Sequence, residues 1–149
     1  MTRRYLSLGS NLGDTKANLD AAVTAIAALP GVRLIARSSY YRSPPDGPVQ
    51  DQPDFVNIAI AVETEIGPAA PAAACRAIET KLGRDRTREI SWGPRPIDID
   101  VLGEPLDERA FVLLPLAEIA PDAVFAGASV ASRRVEAGAV SRLDWPIPV

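Results

Sequence analysis

The sequence contains no histidine and a single cysteine, Cys75. The first absence excludes imidazole general bases, Ser-His-Asp and Cys-His nucleophilic sites, and histidine-ligated zinc. The second excludes an internal disulfide and a cysteine-cluster metal centre. Aromatic residues make up only 5% of the chain. Among its 16 basic residues only Lys16 and Lys81 are lysines, so the positive charge is almost all guanidinium. No apolar run approaches the ~20 residues that a membrane span needs. The first ten residues, MTRRYLSLGS, lack the apolar stretch of a secretory signal. A net charge of −3 offers no bulk attraction to nucleic acid. These features predict a cytoplasmic protein with no membrane and no nucleic-acid partner.

What is present suits one domain, residues 1–149, with 47% hydrophobic and 23% charged residues. A chain of this size buries roughly 70% of the surface its unfolded form exposes, enough for a core without staples. Residues 4–9 (RYLSLG) read as a strand. Asp14 is placed to cap a helix whose apolar face carries Leu19, Ala22, Val23, Ile26 and Leu29, ended by Pro30-Gly31. Residues 32–41 read as a second strand, and the Pro-rich stretch 42–53 as a stiffened loop. Residues 55–63 (FVNIAIAVE) alternate cleanly: Val56, Ile58, Ile60 and Val62 on one face, Phe55, Asn57, Ala59 and Ala61 on the other. Gly67-Pro68 would open a second helix with Cys75, Ile78 and Leu82 inward and Gly83 at its end. A second loop, 84–96, leads into the strand 97–102 (IDIDVL). Beyond it, 111–114 reads as a further strand, 116–119 as a helical turn and 129–140 as a weak helix. The order strand, helix, strand, strand, helix, strand predicts an α+β, ferredoxin-like βαββαβ sandwich, an antiparallel sheet with helices on one face.

The chemistry concentrates at Asp98 and Asp100. Two apart on a strand, their carboxylates project from the same face, with Cα atoms roughly 7 Å apart. Such a pair is either a solvated strand face or a seat for Mg²⁺, which takes one or two carboxylates together with substrate phosphates. The preceding loop, RDRTREISWGPRP, crowds Arg84, Arg86, Arg88 and Arg95 beside it. Those arginines form salt bridges to the aspartates or hold a polyphosphate. Trp92 offers a large apolar surface to the core or to a planar ligand. Asn57, beside Phe55, presents a donor and an acceptor together, which suits a heterocycle edge or a loop backbone. The glycines of LGSNLGD match neither a P-loop nor a dinucleotide fingerprint and read as a strand-to-helix turn.

Five stretches, LGSNLGD, YYRSPPDGPVQDQPDFVN, ETKLGRDR, WGPRPIDIDVL and ERAFVLLPLAEIAP, resemble in order the 6-hydroxymethyl-7,8-dihydropterin pyrophosphokinase family of folate biosynthesis, from residue 5 to about residue 125. The resemblance implies a ferredoxin-like fold. It also implies Mg²⁺-dependent transfer of pyrophosphate from ATP, the co-substrate, to the pterin hydroxymethyl group, with AMP released. By the same resemblance Asp98 and Asp100 would hold two Mg²⁺ ions, and Arg84 and Arg95 would serve catalysis with them. Ser43, Pro44, Asp46, Phe55, Asn57, Trp92 and Phe111 would bind the pterin, with Phe111 stacking and Trp92 closing over it. Glu79, Arg84, Arg86, Arg95 and Arg109 would contact ATP, in a monomer that acts on small molecules. Transfer of this kind relies on alignment and charge neutralisation, so a chain without histidine suits it.

The chain departs from the family's pattern in three places. Only VLGEPLDE separates Asp100 from Arg109, where the family has an extra hairpin with a Pro-His-Pro element. Ser91 stands before Trp92 in place of Arg or Lys. Val49 and one residue near Ile90 are small insertions. The first departure keeps a second reading open, a weakly active or inactive pterin- or nucleotide-binding protein. A ferredoxin-like interaction domain is a third.

Overall fold

The computed structural model describes residues 1–65 and 69–148. The expected helix opening at Gly67-Pro68 lies outside the described residues. Strand β1 (Thr2–Ser10) leads into helix α1 (Thr15–Ala27), whose cap is the predicted one: the Asp14 carboxylate accepts the Ala17 N–H at 3.1 Å. Strands β2 (Val32–Arg37), β3 (Tyr41–Ser43) and β4 (Phe55–Thr64) follow, then α2 (Ala69–Lys81), β5 (Asp98–Val101) and α3 (Ala110–Ile119). The chain ends through the short pair β6 (Val124–Phe125) and β7 (Ala128–Ser129), a 3₁₀ turn Val130–Ser132, and β8 (Ser141–Arg142).

The main sheet runs β5-β1-β4-β3-β8, with β2 also paired to β4, and each of its pairings is antiparallel. Up to β5 the order along the chain is the expected βαββαβ one, with β2 and β3 together standing for one expected strand. On one face Leu6, Leu8, Ile58, Ile60 and Ile99 pack against Leu19, Ala22, Val23 and Ile26 of α1 and Cys75 and Ile78 of α2. Alternation in β4 works as read: its branched residues enter this core, while Ala59 faces the opposite layer.

Five expectations are corrected. The strand 32–41 is broken in two, because Ser38–Tyr40 leave the ladder; the buried Ser38 hydroxyl takes the Ala59 N–H at 2.9 Å. The Pro-rich loop accordingly starts after Ser43, since Arg42 and Ser43 belong to β3. Residues 111–114 and 116–119 form a single helix, α3, and not a strand and a turn. Its apolar run has no period-2 alternation, and pattern alone does not separate a buried helix from a buried strand in such a run. Residues 129–140 form only the end of β7 and a 3₁₀ turn. The expected helices on one face are α1 and α2; helix α3 departs from that expectation and lies on the opposite sheet face, where small alanines leave room for it. There Leu113 and Leu116 join Ala59, Leu106, Phe125 and Val130 in a second core. Among the described residues no helix is long and apolar enough to cross a membrane.

Candidate active site

The sheet register assembles the site on the α3 face. Ser7 lies opposite Asp100, Gly9 opposite both Asp98 and Asn57, and Ser43 opposite Phe55. Four strands therefore line up two aspartates, a glycine, an amide and a ring across one surface. With the Pro-rich loop, the Arg-rich loop and the start of α3, they enclose a cavity of about 210 Å³. Its walls include the whole expected pterin set: Ser43, Pro44, Asp46, Phe55, Asn57, Trp92 and Phe111. Arg95, Asp98, Asp100 and Arg109 line the same cavity. With Ser7 and Gly9 of β1, residues from position 7 to position 111 meet there.

The ring end is well determined. Asn57 is buried, and its amide nitrogen donates to Ser43 Oγ at 2.8 Å and, at 3.5 Å, to the Tyr41 carbonyl. Those bonds fix the amide plane and orient Oδ1. Gly9 makes this possible: a Cβ there would stand 3.0 Å from Asn57 Oδ1. Trp92 is half exposed and adopts φ 64°, which a bulky side chain rarely takes. Its indole lies against Gly47, where any Cβ would come within 2.5 Å of the ring. Arg109 sits 4.6 Å above the Phe111 ring centre and pairs with both Asp46 and Asp107.

The shortened segment before Arg109 is anchored in three ways. Leu106 enters the second core, Glu104 accepts the Ala126 N–H at 2.6 Å, and Asp107 accepts the Arg109 N–H at 3.0 Å. This direct route delivers Arg109 and Phe111 to the cavity.

The charged end has two layers. Asp98 and Asp100 face the cavity with Arg95. The Asp100 carboxyl is pushed up to about 7, first by desolvation and then by the charge of Asp98. The residue nevertheless retains solvent-exposed surface. Two carboxylates that repel each other at the mouth of a cavity make a donor set that fits a hard cation. Among the described residues no group of three or more His, Cys, Asp or Glu side chains is disposed to hold a metal. The pair therefore suits an ion that takes its other ligands from water and substrate, as Mg²⁺ does.

Behind this lies a second layer, with Glu79 and Arg84 buried and Arg86 half exposed beside them. Glu79, Arg84 and Arg86 are absent from the cavity wall. The Arg84 side chain is 3% exposed and all its nitrogens are engaged: Nη1 by Glu79 (2.8 Å) and Asp98 (2.9 Å), Nε and Nη2 by Glu89 (2.9 and 2.8 Å). Burial pulls the Arg84 pKa down, but the hydrogen bonds to Glu89 and Asp98 outweigh it and the group stays charged. Glu79 also accepts Arg86 Nη2 at 2.7 Å and the Ile99 N–H at 2.7 Å. These residues hold β5 and Asp98 in place; they do not face the cavity. Arg88 pairs with Asp85 outside it.

Sequence reasoning missed Ser7, Gly9, Asn11 and Gln52. LGSNLGD reads as a strand-to-helix turn, and no one-dimensional signal shows that β1 runs through the centre of the site.

Fold and cavity together define a small-molecule-binding α+β sandwich whose pocket has a ring-lined, amide-bearing end and a carboxylate-and-arginine end. The model of the 7,8-dihydro-6-hydroxymethylpterin-pyrophosphokinase (HPPK) family matches residues 5–121. A 2-amino-4-hydroxy-6-hydroxymethyldihydropteridine pyrophosphokinase from Methylorubrum extorquens is 46% identical over 97% of this chain and 100% of its own. The enzyme of the same name from Pseudomonas aeruginosa is 43% identical over 80% of this chain and 82% of its own. A solved HPPK-DHPS structure in complex with substrates shares the fold, with a TM-score of 0.64 at 11% identity. That match covers 87% of this chain and 42% of the other. The chain belongs to the 7,8-dihydro-6-hydroxymethylpterin-pyrophosphokinase family.

Proposed function

We propose that the protein transfers pyrophosphate from ATP to the hydroxymethyl group of 6-hydroxymethyl-7,8-dihydropterin in folate biosynthesis. The observation that carries this reading is one cavity with a ring-lined, amide-bearing end and a carboxylate-arginine end, in a chain of this family. The hydroxymethyl oxygen bonds to the β-phosphorus of ATP. The bond from that phosphorus to the α,β-bridging oxygen breaks, the bridging oxygen leaves with AMP, and the hydroxyl proton is lost. No side-chain nucleophile is required; alignment and charge stabilisation supply the rate.

Asn57, oriented by Ser43, reads the pterin edge through Oδ1, and Phe55 and Phe111 bracket the ring. Ser43, Pro44 and Asp46 form the slot's rim, and Trp92 covers it. Asp98 and Asp100 would hold Mg²⁺, two ions by family resemblance, and bound there it would supply charge neutralisation for the phosphates. Arg95 faces the phosphates directly, and Arg109 joins it once released from Asp46. Arg84 acts by fixing Asp98, and Glu79 by fixing Arg84 and β5. Arg86, half exposed on its Glu79 anchor, is the outermost contact for the nucleotide. The protein works as a cytoplasmic monomer without nucleic acid.

The test is AMP formation from ATP and the pterin alcohol, with and without Mg²⁺. Stoichiometric AMP and pterin pyrophosphate, abolished by chelation, support the reading. Pterin binding without AMP formation would replace it with the weakly active or inactive binding protein.

A further inference from the structure

One network in the site has no role in the scheme above. Asn11, 2% exposed, sits at the end of β1 with every side-chain group engaged. Its Nδ2 donates to Gln52 Oε1 at 2.9 Å and to the Pro53 carbonyl at 2.9 Å, and its Oδ1 accepts the Arg95 N–H at 2.9 Å. Its own backbone N–H donates to the Arg95 carbonyl at 3.1 Å. Gln52 continues outward. Its Nε2 donates to the Trp92 carbonyl at 2.6 Å and to the Val49 carbonyl at 2.8 Å. Three segments distant in sequence are thus tied by two amide side chains. Neither amide lines the cavity.

The geometry points to Asn11 and Gln52 as positioning residues that lock the Arg-rich loop to the Pro-rich loop, so that the ring end and the charged end of the cavity form together. The inference rests on the proposed pyrophosphoryl transfer for its kinetic consequence, but not for its structural one. Asn11 sets the backbone of Arg95, whose side chain reaches the cavity. Gln52 holds the carbonyl of Trp92, a residue whose left-handed backbone is unfavourable unless its surroundings enforce it. A primary amide is the only neutral side chain that gives two donors and an acceptor at once, which this bridging needs. Buried networks of this kind act as a unit, since one missing partner leaves the others unpaired.

A neighbouring residue provides the control. Gln50 Nε2 donates to the Pro45 and Gly47 carbonyls at 3.2 and 2.6 Å, both within its own loop. Gln52→Glu is isosteric and keeps the acceptor for Asn11, yet removes both donors and sets a carboxylate against two carbonyls. Gln50→Glu does the same within one loop only. Amide hydrogen exchange of the free protein should quicken in residues 44–52 in both variants. Only Gln52→Glu should quicken it in residues 90–95 as well, by about tenfold, which is about 1.4 kcal/mol of loop closure. In turnover, Gln52→Glu should raise KM for both substrates, and Gln50→Glu for the pterin alone. Exchange at 90–95 within about twofold of wild type in Gln52→Glu overturns the lock. A faster 90–95 segment in Gln50→Glu overturns it too, since the link would not run through Gln52. Were wild type to show no turnover, the pyrophosphokinase reading would fall and the exchange result would still decide the lock.

Discussion

Replacing Arg84 with methionine tests whether this arginine organises the site from behind or meets the phosphates itself. The side chain is 3% exposed and meets three carboxylates, Glu79, Glu89 and Asp98. Methionine fills a similar volume but leaves Glu79, itself 2% exposed at the side chain, with Arg86 as its remaining cation. Breaking a buried ion pair from one side destabilises by about 3–5 kcal/mol, because an uncompensated charge stays behind. Near the melting point the unfolding entropy is about 2.1 cal/mol/K per residue, or roughly 0.3 kcal/mol/K for a chain of this length. Tm should therefore fall by roughly 10–16 °C. The exposed pair Arg88–Asp85 is the comparison; Arg88→Ala should shift Tm by no more than a few degrees, since such pairs contribute about 0–1 kcal/mol. Calorimetric melts of the three proteins, with AMP formation measured well below each transition, provide the readout. Should Arg84→Met melt within about 3 °C of wild type while losing turnover, the buried-hub argument is wrong and Arg84 contacts the nucleotide.

Asp98→Asn or Asp100→Asn should lower turnover at least ~100-fold while the fold survives, because neither side chain belongs to a core; circular dichroism with a turnover assay decides, and near-wild-type rates would remove the metal assignment. Asn57→Ala should weaken pterin binding by ~1–3 kcal/mol per ligand group left unpaired, read by calorimetry, with equal affinities placing the ring elsewhere. Arg109 is about half exposed, so its part in ATP binding should be screened: KM for ATP should rise with added salt, and less steeply in Arg109→Ala. Cys75 is buried and its thiol is pushed up to about 11, first by desolvation, so a thiol reagent should label it only after denaturation. Burial likewise pushes the Tyr41 hydroxyl up to about 12. Both groups keep their protons in the folded state after the unfolded chain has lost them. Stability should be unaffected by them below about pH 9 and fall as pH rises toward 11, by up to about 1.4 kcal/mol per pH unit for each group; urea melts across that range measure it.

Local patterns in the sequence determined much of this molecule. Alternation in β4 fixed which residues enter the core, because a strand has only two faces. The Asp14 cap and the α1 stripe, the DxD spacing of Asp98 and Asp100, and the ring-and-amide pair Phe55 and Asn57 were legible for similar short-range reasons. Tertiary structure decided the rest. The run AFVLLPLAEI has no periodicity to separate strand from helix; the alanine-floored sheet face gave it a place to pack as α3. The arginines around the aspartates looked alike in one dimension. Burial sorted them: Arg95 and Arg109 reach the cavity, while Arg84 is held behind β5 by Glu79, Glu89 and Asp98. Gly9, Asn11 and Gln52 carried no signal of their own. Their importance comes from strand register and loop contact, which bring residues up to 84 positions apart within hydrogen-bond distance.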